Sequence, residues 1–65
     1  MNEVKGLTGL KERRSEKGVS QTVVGRNLGV KRNTVCQWEN GTRNPSVEAL
    51  KKLAAYFNCS VDDLL

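Results

Sequence analysis

Three glycines, Gly18, Gly29 and Gly41, each follow a short run whose apolar residues recur at helical spacing, and they limit this chain to short helices. Glycine after such a run takes the left-handed conformation that ends a helix, because it has no Cβ to clash. Strand signals are nearly absent: aromatics make up 5% of the residues, and no apolar/polar alternation lasts beyond a few positions. The starts are marked as clearly as the stops. Ser20, Ser46 and Ser60 stand where a hydroxyl can accept a free N–H of a first turn. Asn44-Pro45 breaks the chain, since a residue before proline avoids the α region.

These signals predict an all-α fold of five short helices around one core. Helix 1 starts between Gly6 and Gly9 and ends near Lys17. Helix 2 runs from Gln21 to about Leu28. Helix 3 covers about residues 31–40, and Asn40 is its last residue. Helix 4 follows Ser46 with the stripe Val47, Leu50, Leu53, Ala54 and Phe57, and Asn58 takes the left-handed position after it. Helix 5 spans Val61 to Leu65. The expected core is Leu10, Val24, Leu28, Val30, Val35, Trp38, Leu50, Leu53, Phe57, Val61 and Leu64.

A chain of 65 residues is one domain, taken as residues 1–65 with residues 1–6 open to disorder. It buries only about 60% of its unfolded surface and has no room for a deep substrate cavity. The first residues lack the apolar run of a signal peptide, and no stretch approaches the roughly 20 apolar residues of a membrane span. The expectation is a soluble intracellular protein, with no separate oligomerisation domain beyond Leu65. Without histidine there is no ready general base near pH 7, so no catalytic residue is assigned. Two cysteines, Cys36 outside and Cys59 inside, neither form a disulfide framework nor supply a four-ligand zinc site. No metal, cofactor or small-molecule ligand is expected.

The formal charge is +4, and its distribution says more than its total: +2 over residues 1–19, +3 over 20–45 and −1 over 46–65. A positive field on the front two-thirds suits a polyanionic partner. Within it lies Gln21–Gly41, two short helices joined by a glycine-centred turn. At about 100° per residue, Val35 and Trp38 define the buried side of the second helix, and Arg32, Asn33, Cys36, Gln37 and Asn40 occupy the opposite arc. A helix with such an arc fits the roughly 12 Å major groove, where arginine suits guanine and glutamine or asparagine suits adenine. The bland alternative is an ordinary solvated face.

From Leu10 to Leu65 the chain resembles the Cro/phage-repressor (Xre-type) helix-turn-helix family. The resemblance rests on Leu10 and Arg14, on KGVSQ (Lys17–Gln21), on Val24-Gly25, on Leu28-Gly29-Val30 and on WENGTRNP (Trp38–Pro45), with the ending AYFNCSVDDLL (Ala55–Leu65). It implies a lambda-repressor-like DNA-binding domain whose helices 2 and 3 form the helix-turn-helix. By position in the motif, Arg32, Asn33 and Gln37 are implied to read bases. Gln21 and Thr34 fall at phosphate-contacting or base-edge positions, and Lys31, Asn40 and Arg43 where loop and helix ends touch the DNA backbone. Arg14 and Glu39 are implied to form an ion pair joining helix 1 to the end of helix 3. Four residues depart from the pattern: Gly25 stands for the usual alanine, Lys31 for a Ser or Thr cap, Arg13 for an apolar residue and Trp38 for a smaller aliphatic. Trp38 is read as core, with stacking on a base as the alternative.

The function implied is a sequence-specific, double-stranded DNA-binding transcriptional regulator, a repressor, and not an enzyme. Its expected site is a pseudo-palindromic operator bound by a weak homodimer that forms or strengthens on DNA, with exposed apolar residues near Leu64 and Leu65 helping. The alternative is an antitoxin-like protein-interaction module on the same fold, which a large exposed apolar patch would favour.

Overall fold

Four α-helices and a closing 3₁₀ turn make up residues 6–65, the part of the chain that the computed structural model describes. They are α1 (Thr8–Lys17), α2 (Gln21–Leu28), α3 (Arg32–Asn40) and α4 (Val47–Phe57), then the turn Asp62–Leu64. The expectation of disorder over residues 1–6 falls, for 1–5, outside the described residues. No described helix is long and apolar enough to cross a membrane.

Each boundary has its chemical cause. Ser20 Oγ accepts the N–H of Val23 at 3.1 Å, and Ser46 Oγ accepts that of Ala49 at 3.1 Å, satisfying donors that the first turns leave free. At the other end of α1, Gly18 turns left-handed (φ 76°) and its N–H donates to Arg14 O, as does that of Val19 at 3.2 Å. Gly29 and Gly41 end α2 and α3 in the same conformation, and Asn58 (φ 55°) does so for α4. Lys31 starts α3 with no side-chain cap, as its departure from the Ser/Thr pattern implies.

The core is Leu7, Leu10, Val24, Val35, Trp38, Leu53 and Leu64, with Leu28, Val30, Leu50 and Phe57 half-buried against it. Leu10, Val24, Val35, Leu53 and Leu64 are fully buried, each stabilising the fold by about 1.5–3 kcal/mol. Trp38 is 4% exposed, which removes the base-stacking alternative. Gly25 permits the tightest approach in the helix-turn-helix: a Cβ there would lie 2.6 Å from the backbone oxygen of Val30.

Several expectations need correction. The fifth helix is a single 3₁₀ turn, because a run from Val61 to Leu65 is too short to close successive α-type bonds. Val61 is half-buried and stands outside the core cluster. Val47 is 69% exposed. As the first residue of α4 it lies at the edge of the stripe, beyond the turns that face the core. Leu7 joins the core although it precedes the first helix. Its N–H donates to Trp38 O at 3.0 Å, which fixes the lead into α1 against the end of α3. Leu64 is fully buried, leaving Leu65 and Val47 as the exposed large apolar residues among those described. Leu64 therefore cannot serve a contact between copies.

Arg13, read as a departure, has a structural role. It lies 3.3 Å from Glu16 on its own helix and 3.8 Å from Asp63 in the last turn. Asp63 also accepts the Ser60 N–H at 3.2 Å while Ser60 Oγ accepts the Asp63 N–H at 3.3 Å, a reciprocal cap.

Candidate nucleic-acid interface

α2 and α3 are joined by Gly29, Val30 and Lys31. The N–H of Val30 donates to Gly25 O at 2.8 Å, so the turn is tied back to α2. Val35 and Trp38 anchor α3 inward, which leaves Arg32, Asn33 and Asn40 exposed and Gln37 half-buried on the far side. The three residues predicted to read bases thus stand together on one outward arc. Thr34 is half-buried on the other flank of the helix, away from Arg32. Lys31 and Arg43 are exposed at the two ends of α3, so a positive side chain stands at each. Cys36 and Cys59 are both free and half-buried, and Cys59 packs against the core.

Arg32 and Glu39 are seven residues apart, about two turns, and so share the flank of α3 that faces α1 and the start of α2. Glu39, with a side chain 6% exposed, receives Arg14 Nε at 2.7 Å and Arg14 Nη2 at 3.2 Å. The expected ion pair is present and bidentate. The third nitrogen, Nη1, donates to Val19 O at 3.1 Å. The bond to Glu39, its negative charge adding to it, holds the Arg14 guanidinium above its ordinary pKa, against burial, which pulls the other way. A raised cation stabilises the fold at every pH below its unfolded value, so the arginine stays charged throughout the working range.

Gln21 links this pair to the reading face. Its Nε2 donates to Glu39 Oε1 at 3.0 Å, and its Oε1 accepts Arg32 Nη1 at 3.3 Å. The result is a continuous chain, Val19 O–Arg14–Glu39–Gln21–Arg32, running from inside the domain to the outward arc. Sequence reasoning placed each of these residues but missed the two bonds of Gln21, which depend on how α2 crosses α3. Asn40 also makes a local bond. Its Oδ1 accepts the Thr42 N–H at 2.9 Å, leaving Nδ2 turned outward near Cys36 Sγ at 3.9 Å.

A short helix with an outward polar arc, a positive charge at each end and a second helix braced across it is a helix-turn-helix. Residues 10–64 match the family described as Helix-turn-helix. The chain belongs to this family. Relatives agree: an uncharacterised helix-turn-helix transcriptional regulator of Archaeoglobus fulgidus is 35% identical over 88% of this chain and 81% of its own length. The cryptic phage CTXphi transcriptional repressor RstR of Vibrio cholerae is 30% identical over 86% of this chain and half of its own. Among solved structures, the restriction-modification controller protein C.AhdI of Aeromonas hydrophila superposes with a TM-score of 0.80 at 33% identity, covering 89% of this chain and 84% of that one. The chain is an Xre/Cro-type DNA-binding transcription regulator, on a lambda-repressor-like fold.

Proposed function

We propose that the protein represses transcription by binding a pseudo-palindromic double-stranded operator, with α3 in the major groove. The observation that carries this reading is the outward arc of α3, whose Arg32 is held by Gln21 while Asn33 and Gln37 stand beside it. Arg32 reads guanine O6/N7, and Asn33 and Gln37 read adenine N6/N7. Lys31, Thr34, Asn40 and Arg43 hold phosphates. Gln21 contributes there through its backbone N–H in the first turn of α2, while its amide oxygen and one amide N–H are held by Arg32 and Glu39.

One domain reads about four to six base pairs, so useful discrimination needs two copies on half-sites about one helical turn apart. The pairing is a weak homodimer completed on DNA, and the protein acts in the cytoplasm at the nucleoid. The protein-interaction alternative gains no support from the surface: the large apolar side chains exposed among the described residues are Val47 and Leu65, and the α3 arc is polar.

Selection of bound duplexes from a random pool tests the proposal. Enrichment of a symmetric site with fixed half-site spacing is expected. Failure to enrich any sequence, at salt low enough for nonspecific DNA binding, would refute it.

A further inference from the structure

Beside the reading face lies a second feature that the recognition motif does not account for. An open cleft of about 300 Å³ runs between α1, the start of α2 and α3, lined by Lys11, Arg14, Gln21, Cys36, Glu39 and Asn40. Its floor is electrically neutral, because the charge of Arg14 is cancelled by Glu39 at 2.7 Å. Its rim is not. Lys11 is exposed, has no salt-bridge partner among the described residues, and is the lining side chain whose positive charge is uncompensated. Asn40 and Gln21 add amide N–H donors around the same opening, since each nitrogen carries two hydrogens and at most one is committed.

The position of the cleft matters as much as its charge. Cys36 and Asn40 belong to the outward arc of α3, so the cleft begins where the reading face ends, on the flank that carries Arg32 and Glu39. A duplex that sets base edges against Arg32 and Gln37 has a sugar–phosphate strand running along that flank. Lys31 and Arg43 serve the two ends of α3, Arg32 on this flank is assigned to a base, and Lys11 is the uncompensated cation among the residues lining the cleft.

We propose that this cleft seats a DNA phosphodiester and that Lys11, on α1, is its charged ligand, so that the first helix is part of the DNA-binding surface rather than only a brace. The inference rests on the DNA-binding reading above. It assigns a contact that carries no sequence information and adds one unit to the electrostatic grip.

The test uses the whole chain and an operator duplex recovered by selection. Lys11→Gln keeps the aliphatic stem and removes the charge, and its circular dichroism melt should match the parent because the residue is exposed. The slope of log K against log salt should fall by about 0.9, so the affinity lost between 50 and 200 mM salt shrinks by about 3.5-fold. Base preference should stay unchanged, and Lys11→Arg should restore the slope. A walk of single neutral methylphosphonates along the duplex should find a position that weakens the parent and leaves Lys11→Gln unaffected. An unchanged slope, or a loss equal at every methylphosphonate position in both proteins, overturns the proposal. The broader reading survives that result if Arg32→Ala still alters base preference, and falls with it if the parent selects no duplex at all.

Discussion

Removing Arg14 should damage the domain more than neutralising Glu39, and removing both should be milder than removing Arg14 alone. Arg14→Met deletes two of the three hydrogen bonds that Glu39 receives, leaving only Gln21 at 3.0 Å on a carboxylate whose side chain is 6% exposed. Stranding a buried charge in this way costs about 3–5 kcal/mol. That is comparable with the whole stability expected of a domain this size, about 3–10 kcal/mol at 0.05–0.15 per residue. Glu39→Gln leaves the other partner stranded, but Arg14 is 16% exposed and keeps Val19 O at 3.1 Å. Its guanidinium can reach water, so the cost should be about 2–3 kcal/mol, the worth of a charge-assisted bond.

The double variant Arg14→Met/Glu39→Met has no charge to strand and should recover most of the Arg14→Met loss. Urea unfolding followed by Trp38 fluorescence and by circular dichroism would measure all three against the parent. Each kcal/mol corresponds to a shift of about 4–8 °C in Tm for a domain of this size, so the ordering is resolvable by melting as well. If the double variant loses the sum of the two single losses, the pair acts by packing rather than by charge compensation, and the reasoning is wrong. The exposed Arg13–Glu16 pair at 3.3 Å provides the contrast: Glu16→Gln should cost no more than about 0.5 kcal/mol.

Further outcomes can be checked by DNA binding and by melting. Arg32→Ala, Asn33→Ala and Gln37→Ala should each relax preference at one or two base positions by about 1–3 kcal/mol, read by competition among single-base operator variants; uniform weakening would count against base reading. Arg43→Gln should lower the salt slope by about 0.9 without changing preference, and an unaltered slope would remove it from the interface. Gly25→Ala should destabilise by about 1–3 kcal/mol, because the new Cβ meets Val30 O at 2.6 Å and overrides a helix-propensity gain of about 1 kcal/mol; a stabilised variant would show that the crossing can open freely. Asn58→Ala should lose about 1 kcal/mol through its left-handed backbone, whereas Asn58→Gly should not.

The helices were legible because their ends are chemically marked. Ser20 and Ser46 accept first-turn amides, and Gly18, Gly29, Gly41 and Asn58 turn left-handed where their side chains permit it. What periodicity could not supply was position relative to the core. Val47 continues the apolar stripe of α4 yet is exposed, while Leu7 belongs to no stripe and is buried by a backbone bond to Trp38. The site divides in the same way. Arg14 with Glu39, and the outward set Arg32, Asn33 and Gln37, followed from motif and helical geometry. The Gln21 bridge and the Lys11 cleft did not, since both depend on the distance between helices, and a surface lysine on α1 carries no sequence mark of its own.

The join between α1 and the final turn has a consequence for the order in which this domain assembles. A Cβ on Gly9 would lie 2.0 Å from Asp63 O, so the backbones of these two segments are in direct contact although nearly the whole described chain separates them. The α2–α3 pair, in contrast, closes through neighbours, with Val30 N–H bonded to Gly25 O. Loop-closure entropy rises with the length enclosed, so the local hairpin of helices should form early and the Gly9–Leu64 seam late. The seam would then be the first part to open under mild stress. Amide hydrogen exchange at Leu64 should report that opening well before the amides of α3 lose protection.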